Sequence, residues 1–177
     1  MRFWIVLFAY ESVWFAAVIG AGRGYVWPGV TAAMLFAAWR LTSSEHRRIE
    51  LRLIAVALFA GALLESIWVG SGLIHYAAAW PWRIVPAWLL ALWMSFALTI
   101  LPLFGHLHAR PWLAMALGAV GGPLAYFGAA RAWHAARLAT PPWPTLAALS
   151  LGWALAFPLL TALARRWLRE EPLGSPS

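Results

Sequence analysis

Apolar runs of about 18 residues or more recur along the whole chain, and each is long enough to cross a hydrocarbon core of about 30 Å as a helix. Six such spans are expected, at 3–21, 25–41, 53–74, 86–107, 111–131 and 144–165. The predicted fold is therefore all-α, an integral membrane bundle of six transmembrane helices. It forms a single domain over 1–168, followed by a short polar tail over 169–177. Composition agrees, since 63% of residues are hydrophobic, 11% are charged and the mean hydropathy is +0.74. A signal peptide competes for the N-terminus, but the first apolar run is longer than a usual signal core and contains Glu11, so a retained span is expected.

A net charge of +7 could point to nucleic acid, but the arginines are scattered over the segments between spans. Sorted by span, Arg2, Arg40, Arg47, Arg48, Arg52, Arg110, Arg165, Arg166 and Arg169 share one side, against Arg23, Arg83, Arg131 and Arg137 on the other. The positive-inside rule then puts both termini in the cytoplasm of a multi-pass protein, which the resemblance described below places in a bacterial inner membrane. No nucleic-acid partner is expected. Of the 14 tryptophans, ten fall near span ends, where an aromatic belt belongs, Trp82 and Trp88 among them. Trp14, Trp68, Trp93 and Trp153 lie at depth and are expected to pack. Pro28, Pro86 and Pro144 suit first turns, whereas Pro123 and Pro158 should bend spans five and six.

Two acids interrupt the apolar runs, Glu11 and Glu65, in a chain without Asp, Lys or Cys. A carboxylate inside hydrocarbon costs on the order of 2.5–3.5 kcal/mol on insertion scales, so each needs compensation. The other acids, including Glu50, lie in polar stretches that water should reach. Small residues mark packing faces: Ala114, Gly118 and Gly122 recur every four residues, as do Ala57 and Gly61, whose row continues into Glu65. Gly61, Gly118, Gly122 and Pro123 are thus assigned to helix packing. Rises of about 1.5 Å per residue bring Glu65, Ser95 and Tyr126 to similar depth, with Arg131 near the mouth, as a candidate polar pocket. Glu11 is closer in depth to Thr99, a secondary candidate. Glu65 either lines a cavity as a proton acceptor or ligand group, or serves as a protonated carboxyl that orders the bundle.

No nucleotide, hydrolase or metalloprotease motif stands in a usable context, and His106 with His108 lacks the further ligands of a metal site. No metal, cofactor or catalysis by this chain alone is expected.

The stretches WFAAVIGAGRGYVWPG, HRRIELRL, LLESIWVGSGL, PAWLLALWMSFALTI, GAVGGPLAYFGAAR and LGWALAFPLL occur in order over nearly the full length. Together they resemble a family of bacterial inner-membrane proteins known as a domain of unknown function. The resemblance implies an acid at Glu65 and a GGP-x-x-Y element at Gly121, Gly122, Pro123 and Tyr126; a polar pair expected near Leu101 and Pro102 is absent. It also implies association with fatty-acid-modifying enzymes. The leading expectation is a lipid-binding accessory to membrane-lipid modification, with membrane lipids, and other membrane proteins or lipid-modifying enzymes, as partners. A small proton-coupled transporter and a scaffold with structural glutamates are the alternatives.

Overall fold

Along an apolar run the backbone groups can be satisfied within the segment only as a helix, and the runs are helical, the one at 86–107 in two pieces and a 3-10 turn. A computed structural model describes residues 2–81 and 85–171; Trp82, Arg83, the Arg2 side chain and tail residues 172–177 lie outside the described residues. The chain runs α1 (Arg2–Gly22), α2 (Trp27–Thr42), α3 (Arg47–Gly70), β1 (Ile74–Tyr76), α4 (Ala87–Ala97), α5 (Ile100–Phe104), a 3-10 turn (Gly105–Leu107), α6 (Pro111–Trp133), β2 (Ala136–Leu138) and α7 (Trp143–Glu170).

Four helices, α1, α3, α6 and α7, are long and apolar enough to cross a membrane, and the bent α4–α5 pair makes a fifth if taken as one span. That is fewer than the six expected, and the difference lies at α2. Its 16 residues rise about 24 Å, short of a hydrocarbon core of about 30 Å. The helix starts late because the chain first turns at Gly24, at a φ of +84°, with the Tyr25 N–H donating to the Gly20 carbonyl at 2.8 Å.

Proline marks helix starts and one break. Pro28 and Pro144 occupy first turns, and Pro86 is the residue that precedes α4. Neither Pro123 nor Pro158 divides its helix. Pro123 deprives the Ala119 carbonyl of its helical donor, and the Ser150 hydroxyl of α7 replaces it at 2.9 Å. A break falls between α4 and α5, at 44°. Pro102 accounts for it, because its ring has no N–H and crowds the Leu98 carbonyl four residues back. The Thr99 N–H there turns to the Phe96 carbonyl at 2.9 Å.

The fold is mostly helical, as expected, with one short ribbon that the sequence reading lacked: β1 and β2 pair antiparallel, with His75 opposite Arg137 and Tyr76 opposite Ala136. His134 makes this return possible by ending α6 at a φ of +56°. Trp88, expected in the aromatic belt, is buried beneath the ribbon and donates through Nε1 to the Ala77 carbonyl at 3.1 Å. At this ribbon end α1 and α6 touch closely, since a Cβ on Gly22 would lie 1.8 Å from the Trp133 carbonyl oxygen. The opposite, terminal end carries a His46–Glu171 contact of 2.7 Å. Between the ends, large apolar side chains such as Phe8, Leu35, Phe59 and Leu155 face outward, as suits a lipid environment and not water.

The α6–α7 interface is the most extensive between helices. It depends on Gly118, where an added Cβ would sit 2.3 Å from the Trp153 carbonyl oxygen. Gly118→Ala should therefore cost about 1–3 kcal/mol through overpacking, read as a lowered unfolding midpoint in detergent. A loss under about 0.5 kcal/mol, the range of ordinary surface changes, would show that this interface yields freely.

Candidate functional site

The buried residues of α3 include Glu50, Leu53, Ala57, Gly61, Glu65 and Trp68, spaced by three or four positions and so on one face. Glu65 is fully buried on that face. It lies about 7.5 Å below Gly70 at the ribbon end of the helix. Three donors from three other elements converge on its carboxylate. The Tyr76 hydroxyl of β1 donates to Oε2 at 2.5 Å, Trp93 Nε1 of α4 donates to Oε1 at 3.1 Å, and the Tyr126 hydroxyl of α6 donates to Oε1. A carboxylate offers about four lone-pair sites, so three are occupied. Among the described residues no cation pairs with Glu65.

The aromatic groups around this cluster explain the glycines. Trp93 stacks on Trp153 of α7 with ring centroids 4.4 Å apart and planes at 8°. Gly61 backs the Trp93 ring and Gly122 backs Trp153; a Cβ on either would come within 2.5 Å and 2.3 Å of those rings. The small rows at these two positions thus admit an indole pair, where the spacing suggested backbone meeting backbone. Gly118 is the member that meets backbone. Trp68 closes the other side, edge-on to Tyr126 at 5.9 Å.

In front of the stack is a cleft of about 130 Å³ between α1, α4, α6 and α7. Trp14, Trp93, Phe96, Gly121, Tyr126 and Trp153 are among its walls. Gly121 is exposed, so the cleft reaches the molecular surface on the α6 side. A dry cavity of about 150 Å³ accommodates a benzene ring, which sets the scale of a guest. Trp153 Nε1 is buried there without a hydrogen-bond partner among the described residues.

Of the residues singled out from sequence, Glu65 and Tyr126 are brought together. Ser95 is buried, but its hydroxyl donates to the Ala91 carbonyl at 2.8 Å, within its own helix. Arg131 is exposed, with its guanidinium 5.5 Å from the Phe127 ring centroid, and is not in the cluster. Thr99 donates to the Phe96 carbonyl at 2.6 Å, while Glu11 is half-buried and makes no hydrogen bond among the described residues. Sequence reasoning missed Tyr76, which lies in an apparent loop, and gave Trp93 a packing role only. It also expected water at Glu50, which is fully buried and paired with Arg40. The signal was present, because Glu50 stands on the same face as Leu53, Ala57, Gly61 and Glu65.

Among the described residues no group of three His, Asp or Glu is placed to hold a metal. Several membrane-length apolar helices packed around a buried carboxylate define a helical membrane protein. Within that class the chain belongs to the family described as "Protein of unknown function (DUF2878)", which matches residues 3–159 and so includes the whole Glu65 cluster. No curated protein and no solved structure matches it.

Proposed function

We propose that this protein binds the hydrophobic part of a membrane lipid in the cleft before the Trp93–Trp153 stack, as an accessory to lipid modification in a bacterial inner membrane. The observation that carries this reading is the cleft itself: an apolar recess reaching the surface, whose floor residues Trp93 and Tyr126 also hold Glu65. A guest that displaced either side chain would disturb the hydrogen bonds to a buried carboxylate, which couples occupancy to the core. In the topology proposed, α2 completes a sixth span with its flanking residues, and the arginine-rich terminal end faces the cytoplasm.

A second reading is favoured by the closure of the cluster. Glu65 is fully buried and receives three hydrogen bonds, the setting of a carboxyl that fixes helix positions and nothing more. Photoreactive acyl lipids in nanodiscs separate the two. Lipid binding predicts cross-links concentrated on cleft residues and lost in Gly121→Leu, which adds a side chain where a Cβ would meet nothing within 4 Å. Cross-links spread evenly over the outward faces, and unchanged in Gly121→Leu, would leave the structural reading.

A further inference from the structure

A larger cavity, of about 490 Å³, lies at the terminal end, away from the Glu65 cluster. Its polar walls come from His108, after the 3-10 turn, and from Thr161, Arg165, Arg166, Arg169 and Glu170 on the last turns of α7. Glu170 is engaged by Arg166 at 2.7 Å, and Thr161 by the Pro158 carbonyl at 3.0 Å. Arg165 reaches the His108 carbonyl at 3.3 Å, and neither it nor Arg169 forms a salt bridge among the described residues. The cavity therefore has an excess of two positive charges. Pro111 also lines it, which brings the positive end of the α6 dipole to the same place.

Arginines at one end of a membrane protein are expected from topology alone, and arginines near a helix C-terminus favour its dipole. Neither explains a recess of this size. Basic pockets between helices at a membrane face suit phosphate head groups. We infer that this cavity binds a phosphate-bearing group, held by Arg165 and Arg169 with His108 at its wall. Two sources share that chemistry, the head group of an anionic phospholipid and a free phosphate ester.

The test uses the full chain in phosphatidylcholine nanodiscs, titrated with phosphatidylglycerol and, separately, with glycerol phosphate. Arg165→Gln/Arg169→Gln should weaken binding about tenfold or more, while Arg47→Gln/Arg48→Gln, equal in charge and at the same end, should change it less than about twofold. Arg169→Gln alone, at an exposed side chain, should weaken it in the same direction if the double variant fails to fold. Binding of phosphatidylglycerol alone assigns the site to a head group, and competition by glycerol phosphate assigns it to a soluble ester. Equal losses in both double variants, or no binding of either ligand above phosphatidylcholine alone, would overturn the proposal.

Discussion

Replacing Glu65 with leucine is expected to destabilise the protein by about 3–6 kcal/mol, because two hydroxyls and an indole N–H are left without their acceptor at a buried site. The size follows from about 1–3 kcal/mol for each stranded donor, moderated because the hydroxyls can rotate. Glu65→Gln should cost far less. Its carbonyl can accept from Trp93 and Tyr126, and its amide can donate to the Tyr76 oxygen. Tyr76→Phe and Tyr126→Phe remove one donor each and should lose about 0.5–2 kcal/mol, since single hydrogen bonds between membrane helices average about 0.6 kcal/mol. Unfolding of the four variants in detergent reads this order. A Glu65→Leu protein as stable as the parent would mean the cluster does not form.

The second large effect is expected at the terminal end, where Arg40→Met should cost about 3–5 kcal/mol. Glu50 is fully buried and Arg40 is its ionic partner, so the substitution leaves a carboxylate in the interior without compensation. The informative comparison is Arg40→Met/Glu50→Met. Removing both charges restores an apolar contact, so the double variant should be more stable than Arg40→Met alone. A double variant that loses the sum of the two single losses would show that the residues do not interact.

Much of this architecture is legible in the chain. Unbroken apolar length commits α1, α3, α6 and α7 to helices, and the four-residue row from Ala57 to Glu65 marks the face that turns inward. Pro102 also carried its message: its ring strikes the Leu98 carbonyl, so the break it causes lies four residues earlier. Pro123 is a contrary case, because Ser150 on another helix satisfies the carbonyl it frees, and no local pattern contains that partner.

By itself the sequence determined the medium and the problem. Long apolar helices require lipid outside, and a carboxyl at Glu65 requires donors inside. Tyr126 was marked by its depth and its place on the small-residue row, and the other two donors were decided by the tertiary structure alone. Tyr76 reaches Glu65 only because β1 pairs with β2, some 60 residues further along the chain, and lies across the helix end. Trp93 reaches it only because Gly61 and Gly122 leave room for a stacked indole pair. Periodicity along one helix specifies a face, and the side chains that meet it come from elements whose rotation and approach are set by packing.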